Sequence, residues 1–152
     1  MPTSPAATLL DECAAAMDLL AVLRREQATL LQQTVDAYAP LLPEKAQHIA
    51  RLSTLAAQRH RVLATCGFAA SESGMRDWLE QSPGSETDWQ QLLATVRDAH
   101  EVNRVNGVLL TQLMARHQAR AQALGLVAPE QTLYGPNGQA AAAAMRPARA
   151  LG

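Results

Sequence analysis

SETDWQQLLATVRDAHEVNRVNGVLLTQLMARHQARAQALG, residues 85–125, is the stretch whose reading decides the fold. It opens on Ser85, a good N-cap, with Asp88 three residues later and the apolar Trp89 directly after. It closes on Leu124-Gly125, glycine being the residue that most easily turns left-handed past a helix end. No proline interrupts it. Trp89, Val96, Asn103, Leu110, His117 and Leu124 recur every seven residues. Leu92, Ala99, Asn106 and Leu113 form a second rank on one side, and Leu93, His100, Gly107, Met114 and Ala121 a third on the other. A seam this broad predicts one helix packed against more than one neighbour. Such a helix runs about 58 Å, which predicts an elongated molecule with its other helices laid alongside.

Upstream, Ser4-Pro5 reads as a cap followed by proline in the first turn, and Thr8 with Asp11 offers a second start. Leu9, Cys13, Ala16, Leu20, Leu23, Gln27, Leu30 and Thr34 alternate steps of four and three, and Leu10, Met17, Leu31 and Tyr38 widen the stripe. Pro40 and Pro43 separate this helix from a second, with Glu44 in its first turn. Ile49, Leu52, Leu55, Ala56, Val62, Leu63 and Cys66 carry that pattern to Gly67. So short a connection makes the two helices an antiparallel hairpin. Ser71, Ser73 and Gly74 read as a loop, Met75 to Gln81 as a short helix around Trp78, and Ser82-Pro83-Gly84 as a break. Trp78 is expected to fold under this corner as an apolar plug.

Beyond Gly125 the composition changes. Pro129, Gly135, Pro136, Gly138 and Pro147 are dense, and Ala140 to Ala144 is an alanine run too short to hold a helix alone. The expected division is a helical domain over 1–128 and a flexible tail over 129–152. The predicted fold is all-α: an elongated antiparallel bundle of three main helices, a short helix and that tail.

Composition agrees. Of 152 residues, 48% are hydrophobic but only 3% aromatic, and alanine, leucine and valine dominate, favouring helix over sheet. No apolar run approaches the roughly 20 residues that span a bilayer, and the N-terminus lacks a signal-like pattern, so a cytoplasmic protein is expected. A formal charge of −1 without a basic, aromatic-laced patch argues against nucleic acid. Cys13 and Cys66 both sit at core-like positions and read as buried, reduced thiols.

The chemistry of an enzyme is not written here. There is no phosphate-binding glycine loop, no Cys-x-x-Cys pair and no nucleophile elbow. Glu44 and His48 do not make the repeated Glu-x-x-His of a di-iron bundle, and His100 and His117 lie too far apart to share a metal. No catalytic residue, metal site or cofactor is expected.

Two places stand out. Asn103-Arg104-Val105-Asn106-Gly107 sets two of the chain's three asparagines and a glycine inside the long helix, where glycine costs about 1 kcal/mol against alanine. Either Asn103 fixes helix register while Gly107 permits a close crossing, or the segment lines a groove for another helix. The second place is Leu133-Tyr134-Gly135-Pro136-Asn137-Gly138, two large apolar residues in a tail of turn-forming composition, read as an anchor.

With Asn103-x-x-Asn106-Gly107 followed by Leu109-Leu110, and with Leu133-Tyr134…Gly138 beyond it, the chain resembles the FlgN family of flagellar export chaperones. Arg59…Leu63…Gly67 and the corner at Trp78 agree, so the resemblance covers about Leu9 to Gly138; the alanine run after Gln139 departs from it. The resemblance implies a cytoplasmic, non-enzymatic helical protein. It would bind the C-terminal helical segments of hook-associated (hook–filament junction) proteins and hand them to the flagellar export ATPase complex. The expected partner-binding residues are Asn103, Asn106, Gly107, Leu110, Met114, Leu133 and Tyr134. The alternative is a coiled-coil scaffold that self-associates through the same heptads.

Overall fold

The computed structural model describes residues 3–126, and among these all regular structure is helical. The chain divides into two units, Met1–Met114 and Ala115–Gly152. A 3-10 turn, Pro5–Thr8, leads into α1 (Leu9–Gln32), and α2 (Val35–Tyr38) is a single turn. Then come α3 (Leu41–Thr65), α4 (Glu72–Gln81) and the long α5 (Glu86–Ala123). The tail, the alanine run, Leu133 and Tyr134 lie outside the described residues.

Of the two N-terminal start signals Ser4 caps through its side chain, whereas Thr8 stands at the start of α1 without a side-chain cap bond. The Ser4 hydroxyl accepts the Ala6 N–H at 3.2 Å and caps the 3-10 turn, while the Thr8 hydroxyl donates to the Glu12 carboxylate at 2.7 Å. The end of α1 departs from the expectation that the helix reaches Pro40. Gln33 adopts φ 58°, Thr34 N–H bonds to the Thr29 carbonyl and Gln33 N–H to that of Leu30. This is the left-handed termination usual for glycine, here made by a glutamine. Non-glycine residues are strained in that conformation, so Gln33→Gly should raise stability by about 1 kcal/mol in denaturant unfolding. An unchanged midpoint would mean that the glutamine side chain is held by contacts that offset the strain.

Ion pairs fix the course of α3. Glu12 meets Arg59, Asp18 meets Arg51, Glu26 meets Lys45, and Arg25 meets Glu44, so α1 and α3 run antiparallel. Within the first unit, α5 then lies parallel to α1. The Cys13 thiol donates to the Asp88 carbonyl at 3.4 Å, and Asn106 Nδ2 donates to the Leu23 carbonyl at 2.8 Å, two contacts in the same order along both helices. Each main helix therefore reverses the one before it, as the heptads and breaks predict.

The stripe expected of α1 is buried at Leu9, Cys13, Ala16, Leu20, Leu23 and Leu30, but it widens on the other flank from the one expected. Leu10, Met17 and Leu31 are exposed, whereas Ala15, Leu19, Val22, Glu12 and Glu26 are buried on the opposite flank, against α3. The apolar rhythm located the seam with α5 and missed that the charged residues facing α3 are also inside. Tyr38, carried on α2 rather than on α1, keeps its phenol proton to higher pH because burial and the nearby Glu26 carboxylate both disfavour the anion.

The two thiols differ, contrary to the expectation that both are buried. Cys13 is buried, and its thiol is pushed up from the usual value by burial first, then by the Asp88 and Glu12 carboxylates. Cys66 is exposed, because α3 has ended: Gly67 takes φ 85° and Phe68 N–H closes onto the Leu63 carbonyl at 2.9 Å.

Phe68 and Leu63 pack with Met75, Leu79, Trp89 and Leu92 in the main apolar cluster, with half-buried Trp78 against its edge. Gly74 belongs to the first turn of α4 and not to a loop. The Ser71 hydroxyl accepts its N–H at 3.2 Å, and a Cβ there would collide with the Ala69 carbonyl oxygen. At the head of α5, the Glu86 carboxylate accepts the Gly84 N–H at 2.8 Å. In the second unit, α5 ends as its Leu-Gly signal predicts, with Gly125 at φ 67° and Leu126 N–H bonded to the Ala121 carbonyl.

Candidate functional site

The three heptad ranks of α5 have different fates. Leu92, Ala99, Asn106 and Leu113 are buried with Trp89, while Val96 is 39% exposed and His100, Asn103, Gly107 and Met114 are exposed. Among the described residues, the broad seam thus has only its middle filled. α3 matches it. Between Leu41 and Arg59 no residue of α3 is fully buried; Leu52, Leu55 and Ala56 are half-buried, and Ile49 is 44% exposed.

These two incomplete faces border one trough whose floor is α1. Leu19 and Leu23 form the floor, Ile49 and Leu52 one wall, and Val96, His100 and Asn103 the other. The trough continues past Leu52 and Val96 into a second hollow of ≈ 340 Å³ bounded by Arg59, Leu93 and Trp89. Along α3 the wall positions Lys45, Ile49, Leu52, Ala56 and Arg59 follow steps of four and three. Along α5, Leu93, Val96, His100, Asn103, Gly107, Leu110 and Met114 do the same. Each series is a helical stripe; the α5 stripe borders the opening from Leu93 to Asn103, and Gly107, Leu110 and Met114 continue it beyond the lining.

At one end a buried charge pair braces the walls. Arg59 Nε lies 3.0 and 3.3 Å from the two Glu12 carboxylate oxygens, and its NH2 donates to one of them at 3.1 Å. The guanidinium sits 4.8 Å over the Trp89 ring, joining α1, α3 and α5 at one point. Toward the other end Lys45 donates to both oxygens of Glu26, at 3.3 and 3.1 Å.

The structure sorts the residues singled out in sequence. Asn103 is a wall residue and is exposed, so it does not fix register; Asn106, 2% exposed and bonded to the Leu23 carbonyl, does that. Asn106 is consequently turned away from any partner in the trough. Gly107 permits no close crossing among the described residues, since a Cβ there would meet none of them within 4 Å. Gly107, half-buried Leu110 and exposed Met114 extend the α5 stripe. Leu133 and Tyr134 lie outside the described residues. Sequence reasoning missed Ile49, Leu52 and Val96 as surface residues, because an apolar heptad position reads alike whether its partner is in the chain or not.

An open apolar trough between two helices is a geometry suited to receiving a further amphipathic helix. The family model of FlgN protein matches residues 1–142, and the chain belongs to the FlgN family. It is a flagellar export chaperone, and its family implies flagellar hook-associated proteins as binding partners. No curated protein and no solved structure matches the chain. Among the described residues no helix is long and apolar enough to cross a membrane.

Proposed function

We propose that the trough between α3 and α5 receives the C-terminal helical segment of a hook–filament junction protein in the cytoplasm, and that the chaperone then passes this client to the export ATPase complex. One observation carries the reading. Two apolar helix faces border a shared opening, and Ile49 and Val96 remain 44% and 39% exposed. A docked amphipathic helix would cover them and complete a four-helix arrangement. Full burial of such side chains is worth about 1.5–3 kcal/mol each, so the half-exposed walls together supply several kcal/mol before ordering costs.

Gly107 provides the test. With nothing near a Cβ at this position, Gly107→Leu should fold normally, and loss of the helix-interior glycine should favour α5 by a few tenths to about 1 kcal/mol. On the proposed reading it should nonetheless weaken binding to purified hook-associated proteins, because leucine would stand where a client backbone comes close. Unchanged affinity, measured by calorimetry, would remove Gly107 and its neighbours from the binding surface.

We further propose that residues 129–152 form a separate functional segment in which Leu133 and Tyr134 contact the client or the export apparatus. Truncation after Ala128 should then leave the thermal midpoint nearly unchanged and reduce affinity for one of them. A steep fall in midpoint would instead tie this segment to the helical domain. Self-association is the competing reading, favoured by the exposed Leu10, Met17 and Leu31 on α1. It requires a mass that rises with concentration in the absence of any client, read by sedimentation.

A further inference from the structure

We infer that the bound helix has one direction in the trough, its carbonyl end at Arg59 and Trp89 and its amino end toward Asn103; this rests on the client-helix reading above. The inference starts from hydrogen-bonding capacity left unused. Arg59 has five N–H donors, and Nε and NH2 bond to Glu12, whereas NH1 is buried without a partner among the described residues. Trp89 Nε1 is likewise buried without a partner among the described residues. The two residues are 6% and 2% exposed, stack on one another, and border the same ≈ 340 Å³ hollow.

What this end of the trough lacks is acceptor oxygen. The Glu12 carboxylate is already engaged by Arg59 and by the Thr8 hydroxyl at 2.7 Å, and the Glu12–Arg59 pair is neutral in sum, so no net charge calls for an anion. A helix terminus supplies the missing chemistry in only one orientation. Its last four carbonyls have no partner within the helix, while its first four N–H groups would set donors against donors. At the other end, the Lys45 ammonium is bonded to Glu26, and the exposed Asn103 amide offers an oxygen that can accept from an amino-terminal turn. The docked helix therefore runs parallel to α3 and antiparallel to α5.

The experiment uses the full chain and, as probe, the isotope-labelled C-terminal helical segment of a hook–filament junction protein from the same bacterium. Cys66 is exposed and Cys13 buried, so a nitroxide can be placed on Cys66, two turns beyond Arg59, without changing the sequence. The label should broaden resonances in the carboxyl half of the bound segment. Moved to Leu42→Cys in a Cys66→Ser background, it should broaden the amino half. Trp89→Phe, which keeps a ring and removes the donor, should weaken binding about tenfold. Binding with the opposite broadening pattern overturns the inference and leaves the client reading intact. So does full affinity of Trp89→Phe, which would assign the donors to buried water. A segment that does not bind the unaltered protein overturns the client reading and this inference together.

Discussion

Glu12→Ala should lower the unfolding free energy by about 3–5 kcal/mol, the largest effect expected of any single substitution in the helical domain. The reason is what it leaves behind. Arg59 is 6% exposed, and without Glu12 its charge would remain inside the apolar cluster beside Trp89 with no counter-ion. The Thr8 hydroxyl would lose its acceptor as well. Replacing both partners by apolar residues of similar volume, Glu12→Leu with Arg59→Met, should be far milder than the single change, because no isolated charge remains. Denaturant unfolding of the two single variants and the double variant gives the coupling directly. A cost below about 1 kcal/mol for Glu12→Ala would put this pair in the class of the exposed Arg25–Glu44 and Arg104–Glu101 contacts, which are worth little.

Val96→Glu should do the reverse, sparing the fold and abolishing client binding. Val96 is 39% exposed on the outer wall of the trough, so a glutamate there can reach water in the free protein and should change stability by about 0.5 kcal/mol or less. A docked helix would cover that position. Burying an unpaired carboxylate costs several kcal/mol, and about 3 kcal/mol already weakens binding on the order of a hundredfold. Titration of the folded variant with a hook-associated protein measures this. Wild-type affinity would show that the client binds elsewhere, with the exposed α1 residues Leu10, Met17 and Leu31 the next surface to alter.

The helices were legible because their signals are local. The Leu124-Gly125 stop, the absence of proline over residues 85–125, and the prolines at 40 and 43 each constrain backbone geometry by themselves. The end of α1 was not legible, since Gln33 carries no left-handed preference and owes its conformation to the bonds its neighbours make. The site was half legible. Asn103, Gly107, Leu110 and Met114 lie on one stripe, as their spacing dictates, and of them Asn103 lines the trough. Which asparagine faces inward could not be read from spacing, because Asn103 and Asn106 both stand in heptad ranks. The answer depends on where α1 lies. Arg59 and Glu12 were hidden for a related reason: a charge reads as surface until the partner that neutralises it is placed 47 residues away in the chain.

The buried amide of Asn106 has a consequence for recognition. Leucines and alanines spaced by sevens would let α5 slide one heptad along α1 with modest loss, since apolar contacts have little sense of position. An amide that must find the Leu23 carbonyl admits one alignment. A one-heptad slide would put Asn103 or Trp89 where Val96 now stands, exchanging an aliphatic wall for an amide or an indole. The amide thus acts as an indexing pin, and it preserves the chemical identity of a trough wall that it does not itself touch.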